Sequence, residues 1–154
     1  MKNLILAIVF SFISIINYGQ NCCSFSEAMD SGILMTELDS TYTNAITADT
    51  TVYAVFAGQD DEFYDAYIKM LQELGGYLKK NSFLWEQPTN CFHKIYFSEE
   101  GKIDYWLYSF KRRSFGKENE ARFKALLNEF QNEFTFSLPA KERFSQCGSV
   151  RFQD

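Results

Sequence analysis

Cys91-Phe92-His93-Lys94-Ile95-Tyr96-Phe97 and Ile103-Asp104-Tyr105-Trp106-Leu107-Tyr108-Ser109-Phe110 are two runs rich in aromatic and β-branched residues, joined through Ser98-Glu99-Glu100-Gly101. Such side chains favour a pleated backbone, and an acidic turn ending in glycine reads as an antiparallel hairpin with Gly101 in the left-handed conformation. Alternation puts Cys91, His93, Ile95 and Phe97 on one face of the first strand and Phe92, Lys94 and Tyr96 on the other. On the second strand Ile103, Tyr105 and Leu107 oppose Asp104, Trp106, Tyr108 and Phe110. Both faces carry aromatics, so one must pack on helices and the other is either covered too or offers an aromatic surface.

The flanking sequence supplies the helices. Asp60 and Asp61 suit a helix start, and Phe63, Tyr67, Met70, Leu71, Leu74 and Leu78 recur at intervals of three and four. Gly75-Gly76 interrupts that pattern, which predicts either a helix end or a close backbone contact, and Pro88 closes the segment. A second helix is expected from Lys117 to Phe134, with Phe123, Leu126, Leu127, Phe130 and Phe134 on one stripe. Glu118 with Arg122, and Glu120 with Lys124, are spaced for ion pairs on its outer side. Arg143 to Phe152 leans towards a last strand.

Upstream, Ser24 and Glu27 have capping-box spacing before a helix over 26–38, Asp39 to Thr51 reads as a loop or linker, and Val52 to Phe56 as a buried strand. The resulting fold class is α+β, a two-layer sandwich with a mostly antiparallel sheet and amphipathic helices on one face. The expected domain layout is a signal peptide over 1–19, an N-terminal helix and linker over 20–51, and a single α+β domain over 52–154.

The leader reading rests on Lys2, the apolar run from Leu4 to Ile16, and the small or polar residues that follow. That run is too short for a comfortable membrane span, and the alternative is an uncleaved N-terminal anchor. Cleavage near Gly19 or Gln20 leaves no stable membrane span and places the chain in the periplasm or outside the cell. With 46% hydrophobic and 18% aromatic residues among 154, the chain is far too apolar for a disordered polypeptide and too short for two full domains.

Charge is uneven. Residues 21–75 hold ten acids and one base (10 − 1, net −9), whereas 76–154 hold ten acids and thirteen bases (13 − 10, net +3). This balance argues against nucleic acid as a partner. It orients a docking partner, or the two halves neutralise one another within the fold.

Four cysteines in an exported chain are candidates for disulfides. Cys91 and Cys147, in two predicted strands, are the favoured pair, while Cys22 and Cys23 are adjacent and each pairs elsewhere or stays free. His93 is the only histidine, so no multi-histidine metal site can be built, and no metal or cofactor is expected. Cys91 and His93 share a strand face, as a nucleophilic pair requires, although an exported thiol is more often oxidised than catalytic. Asp60, Asp61, Glu62 and Asp65 fit no calcium loop and are explained by the helix dipole. No nucleophile elbow, phosphate loop or dinucleotide fingerprint is present, and no catalytic residue is assigned. Lys111, Arg112 and Arg113, with Lys117 nearby, adjoin the aromatic strand containing Tyr105, Trp106 and Tyr108, a combination that can hold a polymer or a partner's acidic segment.

Glu100-Gly101-Lys102 at the turn and Phe136-Ser137-Leu138-Pro139-Ala140 after the second helix resemble motifs in the C-terminal domain of the energy transducer TonB. That module has a similar layout of helix, hairpin, helix and strand. The long Pro-rich spacer and the Tyr-Pro entry of that family are not found here, so the resemblance implies a shared fold rather than energy transduction. It also implies that the last strand, Phe144 to Phe152, is an edge able to pair with a partner strand. The Lys-Asn start and Tyr-Gly-Gln finish of the leader resemble those of exported Bacteroidetes proteins.

The expected function is that of a non-catalytic binding or accessory module of the bacterial envelope or secretome, its partner an envelope protein or extracellular polymer. The alternative is an enzyme with a site near Cys91 and His93.

Overall fold

The computed structural model describes residues 21–110 and 115–154. The leader and the basic cluster of Lys111, Arg112 and Arg113 lie outside the described residues. The described chain forms β1 (Cys22–Ser24), α1 (Phe25–Asp30), α2 (Met35–Thr41), β2 (Thr43–Asn44), α3 (Asp60–Lys80), β3 (Thr89–Phe97), β4 (Ile103–Phe110), α4 (Lys117–Glu133) and β5 (Phe144–Phe152). The fold is α+β.

The predicted hairpin is the centre of the sheet, whose order is β1-β4-β3-β5-β2. β3 pairs antiparallel with both β4 and β5. The two outer strands run parallel to their neighbours, which makes the sheet mixed. Gly101 has φ +77° as the turn requires, and Phe136 donates its N–H to the Gly101 carbonyl at 2.8 Å. The register steps from Tyr96↔Tyr105 to Phe97↔Ile103, leaving Asp104 as an extra residue on β4. This bulge moves Ile103 onto the face of Trp106, Tyr108 and Phe110, contrary to simple alternation.

That face is the main core. Phe63, Tyr67, Met70, Leu74 and Leu78 of α3, with Phe123, Leu127 and Phe130 of α4, pack against Ile95, Phe97, Trp106, Tyr108 and Phe144. Burying each such side chain contributes about 1.5–3 kcal/mol. Trp85 lies flat on Phe152, with ring centroids 4.6 Å apart, and its backbone N–H donates to the Asp154 carboxylate at 3.1 Å, which fastens the C-terminus. The opposite face is itself partly covered. Cys23, Ala28, Tyr42, Tyr96 and Leu107 form a smaller cluster under α1 and α2.

The N-terminal reading needs correction. The expected single helix over 26–38 is two helices, because Gly32 at φ +79° follows α1 and ends it. Ser24 and Glu27 do form the capping box. The expected linker contains the end of α2 and all of β2, and residues 22–24 and 43–44 supply both outer strands. Residues 20–51 are therefore not a segment apart from the domain at 52–154. Val52 to Phe56 is not a strand: Ala54 and Phe56 plug the core while Val52 and Tyr53 are exposed. Its backbone is held instead by Val55 and Phe56 donating N–H to Asn44 and Ala45 carbonyls.

α3 runs unbroken through Gly75-Gly76, and a Cβ at either glycine would meet nothing within 4 Å. Neither the predicted helix end nor a close packing partner occurs there. The apolar stripe on both sides of the pair is long enough to carry the helix across two unfavourable residues.

Candidate functional site

β3 and β4 bring His93 and Cys91 into the main core, where both are 1% exposed. The Tyr67 hydroxyl hydrogen-bonds His93 Nε2, and Nδ1 has no partner. Burial lowers the His93 pKa to about 4 and pushes the Cys91 thiol up to about 12. A neutral imidazole beside an un-ionised thiol, both shut away from solvent, is not an activated nucleophile. Gly148 stands opposite His93 on β5, and a Cβ there would lie 2.9 Å from the Tyr67 hydroxyl, so the missing side chain makes room for the Tyr67 to His93 contact.

The register does not set the expected disulfide pair side by side. Cys91 pairs with Val150 and Cys147 with Lys94, so the two cysteines are offset by three positions and point to opposite faces of the sheet. Cys91 is buried and Cys147 exposed, and all four thiols are free. No one-step closure links such positions. Nor do Tyr105, Trp106 and Tyr108 form an aromatic surface. Trp106 and Tyr108 are buried under α3 and α4, and Tyr105 packs edge-on against Tyr96 on the other face.

Tyr108 nevertheless reaches a site. β1 stops at Ser24, its register partner, and the chain turns away into α1, leaving a groove of about 760 Å³ between α1 and the polar side of α4. Ser24, Glu27, Tyr108, Glu120, Lys124 and Asn128 contribute to its walls and floor. Asn128 fixes the geometry by accepting the Cys22 N–H at 3.3 Å and donating to the Cys22 carbonyl at 3.0 Å. Behind it the Cys22 thiol donates to Gln131 Oε1 at 2.9 Å, and burial holds this thiol well above the usual range.

Lys124 was spaced to pair with Glu120 but crosses the groove to Glu27, 2.8 Å away. Arg122 likewise leaves Glu118 and donates to the Asn81 and Ser82 carbonyls at 2.9 and 3.0 Å. Long-range partners that close the fold have displaced the local pairs. Burial and the Glu27 charge raise the Glu120 pKa, with Lys124 opposing them.

The Tyr108 ring meets Phe123 edge-on, with centroids 5.3 Å apart, and its hydroxyl is buried without a hydrogen-bond partner. Burial and then the Glu120 and Glu27 charges raise its pKa. An orphaned buried hydroxyl costs about 1–3 kcal/mol, and native structures seldom leave one.

Of the described residues singled out in sequence as a binding set, Tyr108 lines this groove and Tyr105 and Trp106 do not, while Lys117, noted beside that set, lines it too. Glu27, Lys124 and Asn128 were missed as site residues because the groove joins elements far apart in the chain. Their one signal was the Glu120, Lys124, Asn128 spacing along a single face of α4.

Among the described residues no group of three or more His, Cys, Asp or Glu side chains could hold a metal ion. None of their helices is long and apolar enough to cross a membrane. Searches of family models, curated proteins and solved structures find no match to this chain.

Proposed function

We propose that this protein is an exported, non-catalytic binding module whose ligand seat is the groove between α1 and α4. The observation that carries the reading is the Tyr108 hydroxyl, buried and unpartnered beside a groove lined by hydrogen-bonding side chains together with Ala121 and Ala125. A ligand that supplies the missing partner recovers the cost of leaving it unpaired. The test is Tyr108→Phe. In the free protein it is expected to raise stability by about 1 kcal/mol, because it removes an orphan without changing shape. In a fragment screen by saturation-transfer NMR, using small amines, carboxylates and sugars, it is expected to weaken whatever binds the groove. A destabilised Tyr108→Phe variant, or fragment binding indifferent to it, refutes the proposal. Export is tested by sequencing the N-terminus of the protein recovered outside the cytoplasm, where Met1 still in place would overturn it.

A second reading is favoured by the edge of the sheet. β2 covers only Phe144 and Ser145 of β5, and Ala45 donates to the Ser145 carbonyl at 2.8 Å. By the two-residue period, Cys147, Ser149 and Arg151 also turn their N–H and C=O groups outward, beyond the end of β2. An extended segment of an envelope protein fits there by strand addition, in keeping with the resemblance noted for the last strand. Ser149→Pro removes one outward N–H at a tolerated edge position. It is expected to abolish such pairing and leave the fold intact, and retention of a strand partner by this variant would refute the edge reading.

A further inference from the structure

Resting on the groove reading, we infer that the groove seats a primary ammonium group carried by a small molecule, held between the Glu120 carboxylate and the Tyr108 hydroxyl. The charge pattern argues for a cation. Glu27 is matched by Lys124 at 2.8 Å, and Glu129 accepts the Tyr77 hydroxyl at 2.9 Å on the far side of α4. The Glu120 side chain makes no hydrogen bond or ion pair with any described residue, and the cation that acts on it, Lys124, is already committed to Glu27. Lys117, exposed at the first position of α4, also lines the groove but forms no ion pair with Glu120.

Among the described residues the groove thus contains one partly buried carboxylate without an ion-pair partner and, beside it, one buried hydroxyl without a hydrogen-bond partner. An ammonium group satisfies both at once. It donates to the carboxylate in a charge-assisted bond and to the phenol oxygen, which has lone pairs free. An anion placed between the Tyr108 hydroxyl and Glu120 would be repelled by that carboxylate. A neutral alcohol would reach the phenol but leave Glu120 uncompensated. The volume, about 760 Å³, is that of a small-molecule site rather than of a docked helix or strand.

The experiment titrates three isosteric probes, n-butylamine, n-butanol and n-butyrate, into the full chain labelled with ¹³C at tyrosine, in wild type and in the Glu120→Gln and Tyr108→Phe variants. The amine is expected to shift the Tyr108 resonance and to bind at least about tenfold more tightly than the other two. Glu120→Gln is expected to weaken the amine by about tenfold, and Tyr108→Phe by a smaller factor. Both variants keep side-chain shape, and Glu120 lies at the surface of α4, so folding is preserved. Butanol or butyrate binding as well as the amine, or amine binding indifferent to Glu120→Gln, overturns the ammonium inference and leaves the groove as a site for another ligand class. A Tyr108 resonance unmoved by all three probes, together with a Tyr108→Phe variant no more stable than wild type, overturns both.

Discussion

Because the chain contains one histidine, its stability between pH 7 and pH 5 reports largely on one group. His93 is neutral in the fold, with its pKa lowered from 6.5 to about 4 by burial. In the unfolded chain it takes up a proton near pH 6.5, so over the window from 6.5 to 4 the unfolded state binds more protons. Stability is therefore full above the unfolded pKa, falls as pH drops through the window, and levels off below about 4. Between pH 7 and pH 5 the linkage relation gives a loss of about 2 kcal/mol, rising to about 3.4 kcal/mol once both states are protonated. The assay is urea unfolding at half-unit pH steps, comparing wild type with His93→Gln, which offers Tyr67 a partner but does not titrate. The difference between the two is expected to change by about 2 kcal/mol across the interval. Glu120 works in the opposite sense, since its raised pKa favours proton uptake by the folded state, and Glu120→Gln serves as the control for its share. A difference that stays flat from pH 7 to pH 5 would show that His93 is solvated or charge-paired in the native protein. The core geometry argued for Tyr67, His93 and Gly148 would then be wrong.

Three further outcomes follow from the packing. Gly75→Ala and Gly76→Ala are each expected to stabilise the protein by up to about 1 kcal/mol in urea unfolding, because α3 is helical at both and a methyl group meets nothing; destabilisation by either would mean the helix is broken there. Gly101→Ala combines a φ of +77° with a Cβ 2.8 Å from the Phe136 carbonyl oxygen, so a loss of at least about 1–2 kcal/mol is expected, and a neutral result would refute the turn geometry. In the native protein a thiol reagent is expected to modify Cys147 rapidly and Cys22, Cys23 and Cys91 only on unfolding; a Cys91 to Cys147 bridge found by non-reducing mass spectrometry would contradict the strand register.

The hairpin and the two long helices were legible because each is a local repeat: period two over β3 and β4, intervals of three and four over α3 and α4. What failed was whatever depended on a partner distant in the chain. Val52 to Phe56 has strand composition but no strand, since its backbone is satisfied by single bonds to residues 44 and 45. Residues 22–24 and 43–44 became sheet edges with no sequence pattern of their own, because a two- or three-residue strand is defined by the neighbour it joins. The same limit explains the site. Alternation placed Tyr108 correctly beside Trp106, yet composition alone suggested an aromatic surface, since a strand sequence does not state which face is covered by helices. Coverage turned the ring inward and buried its hydroxyl without a partner beside the groove. Lys124 shows the consequence for chemistry: spacing assigned it to Glu120, while the fold gave it to Glu27 across 97 residues. Had the local pair survived, Glu120 would have a counter-ion among the described residues. The unmatched carboxylate beside the orphaned phenol exists because tertiary contact overrode a helical pair worth only about 0.3–0.5 kcal/mol.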